Sequence, residues 1–272
     1  MTLDINTIYH GDCLDLMKDI PDKSIDMILC DLPYGCTQNK WDIIIPIEPL
    51  WELYKHVIKQ NGAILLFGSE PFSSAIRLSN ANNYKYDWVW VKTNKTGFYN
   101  AKKAPLRKHE LISVFYQSPP IYNPQMYYVP CDNIGHKRGN SGNLPTSKQS
   151  NWGKASLKTA YSYQYIETGW RYPDDVLIFP NWNGGSTSNA SKHPTQKPVA
   201  LLEYLIRTYT NEGDMVLDNC MGSGSTCIAA INTNRHYIGI EKEQRFFDIA
   251  QERIRQTKGQ LTLSSISPEV TG

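Results

Sequence analysis

Asp31-Leu32-Pro33-Tyr34 places a carboxylate, a proline-restricted turn and an aromatic ring within four residues, directly after the apolar run IDMILC at 25–30. An exocyclic amine on a nucleobase is a poor nucleophile, because its lone pair is delocalised into the ring. Accepting its N–H hydrogens, on the Asp31 carboxylate and on a backbone carbonyl at Leu32 or Pro33, favours a more tetrahedral nitrogen. Proline restricts the backbone and gives that carbonyl a defined aim. An aromatic side chain such as Tyr34 stacks on a base taken out of its duplex, and acceptors held in place beforehand stabilise the charge that develops on the amine.

A second constellation lies far downstream. In VLDNCMGSGST, 216–226, an apolar run ends in Asp218 and Gly222-Ser223-Gly224 turns the chain into a helix. Glycines let the backbone approach a ligand closely, and the helix start presents unpaired N–H groups. Glu241 ends the next apolar run 23 residues after Asp218. An acid at that distance takes ribose hydroxyls in nucleotide-binding βαβ units. Phosphate-binding versions need a third glycine in register or Gly-Lys-Ser/Thr, and here Thr226-Cys227 follows. The acids Asp218 and Glu241 suit a cationic nucleoside without phosphates better than ATP.

These segments need strands to carry them. Compact apolar runs predict strands at 6–9, 25–30, 63–67, 86–91, 111–116, 176–179, 215–217 and 237–240. Apolar residues at helical spacing predict helices at 13–18, 49–59, 71–79, 198–208, 225–233 and 246–255, with Asn61-Gly62 stopping the second. The alternation of strand and helix predicts an α/β domain, its ligands at the carboxyl ends of the strands. From 117 to about 172 periodicity is lost in a stretch rich in Pro, Gly, Asn, Ser and Tyr. Seven tyrosines between 117 and 172 argue for a folded insertion rather than simple disorder. The tail from 259 to 272 is expected to be mobile.

The 272 residues, 40% of them hydrophobic, are enough for one α/β core with an insertion. No apolar run is long enough to span a bilayer, and the N-terminal residues do not read as a signal peptide, so a cytoplasmic protein is expected. Cys13, Cys30, Cys36, Cys131, Cys220 and Cys227 form no C-x-x-C pair; small buried residues are expected, and no metal site. The net charge of +2 hides an uneven distribution. Residues 92–158 hold eleven Lys or Arg against Glu110 and Asp132, interleaved with aromatic and amide side chains. Phosphate neutralisation with stacking and base-edge hydrogen bonds uses that mixture, which points to nucleic acid.

Together the motifs resemble the β-class amino-methyltransferases of DNA, whose [D/N/S]-P-P-[Y/F/W] segment lies upstream of the glycine-rich cofactor turn. The resemblance covers about residues 6–258 and includes Gly11-Asp12-Cys13, Lys108-His109-Glu110 and HPTQKP at 193–198. It implies a Rossmann-like, seven-stranded, mostly parallel sheet with helices on both faces. It divides the chain into a catalytic half (1–116), a target-recognition insertion (117–175) and a cofactor-binding half (176–258). It implies S-adenosylmethionine as cofactor, Asp31, Leu32, Pro33 and Tyr34 as the catalytic segment, and double-stranded DNA as substrate; a homodimer is common in the family. The cofactor set it implies is Asp12, Cys13, Asp31, Lys197, Pro198, Asp218, Asn219, Cys220, Gly222, Ser223, Gly224, Ser225 and Glu241. Asp12 would lie near the cofactor adenine, Lys197 and Pro198 would shape the pocket, and Glu241 would hold the ribose.

Two positions depart from the family pattern. Leu32 replaces the usual first proline, and Asn219-Cys220 replaces the usual Pro-Phe beside the glycine-rich turn. Asp31 favours adenine N6 as target, whereas cytosine-N4 enzymes usually carry serine there; cytosine N4, RNA or protein glutamine, or an inactive DNA-binding relative stay as alternatives. Lys102, Lys103, Arg107, Lys108, Lys137 and Arg138 are the candidate DNA contacts. Ser118-Pro119-Pro120-Ile121 imitates a cytosine-type motif without the stacking aromatic, and reads as a turn. Pro130-Cys131 imitates a cytosine-C5 nucleophile without its partner acid, and reads as a chance dipeptide.

Overall fold

A computed structural model describes residues 2–35, 42–130, 137–138, 165–166, 169–181 and 196–266, with side chains except at 137–138, 165–166 and 261–266. In chain order the main unit holds β1 (Thr7–His10), α1 (Cys13–Leu16), β2 (Ile25–Cys30), α2 (Ile47–Val57), β3 (Ile58–Gly68), α3 (Phe72–Ser79), β4 (Tyr84–Thr96) and β5 (Arg107–Phe115). The insertion holds four two-residue strands, β6 (Tyr127–Tyr128), β7 (Lys137–Arg138), β8 (Tyr165–Ile166) and β9 (Trp170–Arg171). The main unit resumes with β10 (Val176–Phe179), α4 (Val199–Tyr209), β11 (Met215–Asp218), α5 (Ser225–Asn232), β12 (His236–Glu241) and α6 (Gln244–Ile266).

The sheet runs β1-β12-β11-β2-β3-β5-β4-β10. The first five of these strands are mutually parallel, β5 is antiparallel to both its neighbours, and β10 pairs parallel with β4. Both faces are covered, which explains why IDMILC reads as a nearly continuous apolar run. Met27 and Leu29 enter one core with α4, α5 and α6; Ile28 and Cys30 enter the other with α1, α2 and α3. The polar residue of that strand is used. Asp26 accepts from Lys59 Nζ at 2.6 Å and from Met215 N at 2.9 Å, tying β3 and β11 to β2.

The α/β sheet with helices on both faces is the expected one, with four differences in detail. The sheet has eight strands rather than seven, because β10 adds its backbone to the outer edge of β4, Val176 opposite Val89 and Phe179 opposite Lys92. The helix expected over 49–59 ends at Val57, and Asn61-Gly62 lies inside β3. β-Branched Ile58 pairs with Ile25, and a Cβ on Gly62 would come within 2.7 Å of the Ile58 side chain and 2.9 Å of the Asp26 carbonyl, so only glycine fits that crossing. The hairpin of β4 and β5 extends beyond its apolar core through polar Lys92–Thr96 and Arg107–Glu110, which the apolar runs could not reveal. The tail expected to be mobile from 259 is helical in its backbone to Ile266.

A separate compact unit spans Pro124–Pro173, starting seven residues after and ending two before the bounds of the expected insertion, 117–175. Gln117–Asn123 stays with the main unit: Ser118 N donates to Gln60 O at 3.3 Å, and the Asn123 amide donates to the carbonyls of Arg207 and Thr210. The Ser118-Pro119-Pro120 segment, expected as a turn, leaves the β5 end through a bend at 117–118 and continues as irregular chain. Within the insertion β6 pairs antiparallel with β9 and β7 with β8, and Tyr128 meets Trp170 edge-on with ring centroids 5.5 Å apart. Cys36, Cys131 and His193-Pro194-Thr195 lie outside the described residues. Among the described residues no helix is long and apolar enough to cross a membrane.

Candidate active site

One cavity of about 490 Å³ runs along the carboxyl ends of β12, β11, β2 and β3 to the hairpin of β5 and β4. Asp12, Glu241 and Phe246 line one end, the turn Asp218–Ser223 lies in the middle, and Asp31–Tyr34 follow. Phe67, Trp90, Lys92, Glu110 and Lys197 line the other end. Parallel strands that stop at one level create this shelf, and each expected acid is the residue at or just beyond a strand end.

At the glycine-rich turn, the backbone sets the carboxylates. Gly222 N donates to Glu241 Oε2 at 2.9 Å and Glu243 N to Oε1 at 2.7 Å, so Glu241 is held facing the turn. Cys220 N donates to Asp218 Oδ1 at 3.1 Å. Asp12 caps α1 through Leu14 N at 2.9 Å and pairs with Lys242 at 3.0 Å; burial opposes its charge, but these two donors hold its carboxyl below the usual range. Ser223 and Ser225 line the cavity while their hydroxyls accept from Arg253, at 2.9 and 3.2 Å. A Cβ on Gly239 would meet Met221 Sδ at 2.5 Å and Cys227 Sγ at 2.7 Å, so β12 passes beneath the turn only as glycine.

Burial pushes Asp218 up to about 7. The folded protein therefore keeps a proton there that the unfolded chain gives up near pH 4, and stability contributed by the neutral carboxyl is lost as pH rises through 7. Asp218→Asn removes that dependence. Without ligand, its unfolding free energy is expected to gain on the wild type between pH 5 and pH 8, by up to a few kcal/mol, read by chemical denaturation. A gap that stays constant across this range would count against a buried neutral Asp218.

The segment Asp31–Tyr34 is braced on three sides. Tyr34 donates its hydroxyl to Asp31 Oδ1 at 2.5 Å and stacks on Phe72 with centroids 4.9 Å apart. Burial and the Asp31 charge push the Tyr34 phenol well up, so it remains a donor. Lys197 Nζ donates to Asp31 Oδ2 at 2.5 Å, lies 3.4 Å from Glu110 Oε2 and sits 5.1 Å from the centre of the Phe67 ring. Glu110 in turn is paired with Lys92. Burial works against the charge on Lys197, but Asp31 and Glu110 outweigh it and raise its pKa; Glu110 is likewise lowered, against burial, by Lys197 and Lys92. Leu32 is 4% exposed and packs in the α1–α3 core, so burial anchors the backbone where the family's first proline is absent. Gly35, with φ of +65°, ends the segment, its N–H donating to Asp42 Oδ1 at 2.8 Å.

The structure brings most of the expected residues to this cavity. Pro198 and Gly224 stand back from it. Pro198 is buried and starts α4, its carbonyl accepting from Leu202 N at 3.3 Å; Gly224, with φ of +77°, starts α5 against Ala250. The Asn219 side chain accepts from Tyr54 at 2.7 Å, which makes it a brace for the turn. Cys13, which lines the cavity, is pushed up by contact with Cys220 and by burial, and Cys30, behind the lining, by burial to about 12; both stay protonated thiols. Sequence reasoning gave no role to Lys92, Phe67, Trp90 or Glu110, although it singled out Lys108-His109-Glu110. Lys102, Lys103, Arg107 and Lys108 are exposed on the β4–β5 hairpin, and Lys137 and Arg138 form β7 in the insertion.

A family model described as DNA methylase matches residues 25–252. The Type II methyltransferase M.HinfI of Haemophilus influenzae is 26% identical over 282 residues, covering 93% of this chain and 69% of its own. The crystal structure of an M1.HpyAVI–SAM complex superposes with a TM-score of 0.59 at 26% identity, over 91% of this chain and 98% of that one. The PvuII DNA methyltransferase, described as cytosine-N4-specific, shares the fold with a TM-score of 0.64 at 14% identity, over 96% and 93% of the two chains. With its catalytic segment ahead of its glycine-rich turn and a family match over most of its length, the chain belongs to the DNA methylase family N6_N4_Mtase, as a permuted β-class amino-methyltransferase.

Proposed function

We propose that the protein methylates the exocyclic N6 amine of adenine in duplex DNA, using S-adenosylmethionine and acting on a base taken out of the stack. The observation that carries this reading is the placement of Asp31. It lies at the end of β2 within the same cavity as the glycine-rich turn, its carboxylate held by Tyr34 and Lys197.

The cavity suits a cationic nucleoside. Asp12 and Glu241 line one end of it, and Glu241 is already hydrogen-bonded to the turn on which such a ligand would lie. Glu241 would take the ribose hydroxyls, Asp12 would face the adenine ring, and the turn 218–223 would pass beneath the cofactor. The cofactor supplies an electrophilic methyl group. Asp31 accepts a hydrogen from the target amine; a carboxylate has about four lone-pair sites, so the bonds from Tyr34 and Lys197 orient it without exhausting it. The carbonyl of Leu32 or Pro33 accepts a hydrogen bond from the second N–H. These two hydrogen bonds aim the nitrogen lone pair at the methyl donor, the nitrogen gives up one proton by way of Asp31 to solvent once it carries the methyl group, and preorganised acceptors are strongest in a site that excludes water. The exposed lysines and arginines of the β4–β5 hairpin, with Lys137 and Arg138, neutralise phosphates, and the 124–173 unit reads the target sequence.

Single-molecule sequencing of DNA from cells expressing the protein tests the reading, because it reports the modified base and its context together. N6-methyladenine in one sequence context is expected. Modified cytosine would install the cytosine-N4 alternative, which the shared fold with the PvuII enzyme keeps in view. Unmodified DNA would favour an inactive DNA-binding relative.

A further inference from the structure

The β4–β5 hairpin ends in a feature that neither the catalytic segment nor the cofactor turn uses. Phe98 is 67% exposed and Tyr99 fully so, two adjacent large aromatic side chains at a hairpin tip. They are not on a slack loop. Asn100 N donates to Gly97 O at 3.0 Å, Ala101 N to Phe98 O at 3.1 Å, Lys103 N to Asn100 O at 2.8 Å and Ala104 N to Asn100 O at 2.9 Å. Gly97, with φ of +88°, supplies the left-handed residue that opens this turn. Below the tip, Thr96 pairs with Arg107, and the Asn181 side chain both accepts from and donates to the Asn94 backbone at 3.1 Å. The hairpin that carries the aromatics is therefore continuous with the cavity wall, where Thr96, Lys92, Trp90 and Glu110 line the space beside Asp31.

The charge around this tip has one sign. Lys95, Lys102, Lys103, Arg107 and Lys108 are all exposed, and no acid occurs between Asp87 and Glu110. Exposed rings among cations fit a partner that offers both phosphates and flat aromatic faces, and duplex DNA offers them a few ångströms apart. Removing a base from the stack leaves a gap with two unstacked faces, and apolar or aromatic side chains wedged between base steps are a recurrent answer to that cost.

Resting on the reading that the substrate is duplex DNA, we propose that Phe98 and Tyr99 form a wedge that enters the base stack and occupies the gap left by the extruded base, while Lys102 and Lys103 hold the flanking phosphates. The wedge and the acceptor then act from one rigid element: the side chains that hold the gap open and the cavity that receives the base share strands β4 and β5.

The test uses the full chain with S-adenosylhomocysteine and a short fluorescein-labelled duplex, either intact or with one abasic residue at its centre, read by fluorescence anisotropy over a salt series. The abasic duplex offers the gap without the cost of extrusion, so the wild type should bind it about tenfold more tightly than the intact one. F98A/Y99A, which cannot stack in the open gap, should bind the abasic duplex about tenfold more weakly than the wild type does, while keeping the wild-type slope of affinity against salt. Because both rings are exposed, its thermal midpoint should not move. K102A/K103A should do the reverse, keeping the preference and flattening the slope by about 2. Wild-type affinity of F98A/Y99A for the abasic duplex overturns the wedge, even where the enzyme binds and methylates DNA. A wild type with no salt-dependent DNA binding overturns the DNA reading itself and the wedge with it.

Discussion

Asp31→Asn is expected to lower kcat for methyl transfer by about a thousandfold, with affinity for S-adenosylhomocysteine kept within about tenfold. The amide preserves the size of the side chain, and its oxygen can still face Lys197 Nζ, now 2.5 Å from Asp31 Oδ2. What it loses is a charged acceptor for the target amine, an interaction made only as charge develops on the nitrogen. One preorganised group of that kind is worth roughly 10²–10³ in kcat. The amide nitrogen then faces Tyr34, whose hydroxyl can turn to accept from it, and the buried Leu32 is untouched, so the thermal midpoint should change little. Single-turnover methylation with saturating cofactor, alongside calorimetry of S-adenosylhomocysteine binding, separates the two quantities. Turnover near wild type would remove Asp31 from the chemistry. Equal loss of turnover and cofactor affinity would make it a cofactor ligand instead.

Lys197→Met should have the largest effect on stability of any single change at the site. Lys197 is 10% exposed and stands between two carboxylates, Asp31 and Glu110, with Lys92 as the further cation paired to them among the described residues. Removing one partner of a buried pair leaves an uncompensated charge and costs about 3–5 kcal/mol. In a domain of this size that lowers the thermal midpoint by roughly ten degrees. A merely bulky replacement defect would not be rescued by changing a neighbour, so the second variant decides the cause. K197M/E110Q, which also removes the stranded charge, should recover more than half of the loss. If the double variant is as unstable as the sum of the single changes, the residues act independently and the network is not a unit. Lys197 is a positioning residue on this account: the surviving K197M fraction should turn over slowly, because Asp31 has lost the donor that orients one oxygen.

The residues that sequence reasoning found share a simple property. Asp31, Asp218 and Glu241 each terminate an apolar run that could only be a buried strand, and strand ends of an α/β sheet are where ligands bind. Asp12 enters only through the resemblance carried by Gly11-Asp12-Cys13; the structure adds that it caps the short helix after β1. Glu110 and Lys92 were legible as residues but not as a pair. They lie where β4 and β5 run on past their apolar cores, and only the antiparallel register, with Trp90 opposite Glu110, sets them beside each other. Lys197 joins them from a segment far along the chain, a long-range contact for which no local pattern exists.

Pro198 and Gly224 mark the opposite failure. Both belong to motifs that line a cavity, yet each serves the start of a helix, because in a tight turn some residues must face the ligand and others must turn the chain. The eighth strand was visible as an apolar run at 176–179, but its partner was not. An edge strand that pairs parallel with β4 requires knowing that β4 ends the sheet on that side. The end of α6 was misjudged for a compositional reason: Ser and Thr beyond Lys258 have weak helix propensity, but a helix already nucleated by packing through Ala250 and Ile254 continues at little cost.

The most direct test of the central claim is to incubate the purified protein with duplex DNA and S-adenosylmethionine carrying an isotopically labelled methyl group, then digest the DNA and identify the labelled nucleoside by mass spectrometry. Label on the N6 amine of deoxyadenosine is the expected result, absent in the Asp31→Asn variant. Label on C5 of deoxycytidine, or on no nucleoside at all, would contradict an amine-methylating site built on Asp31.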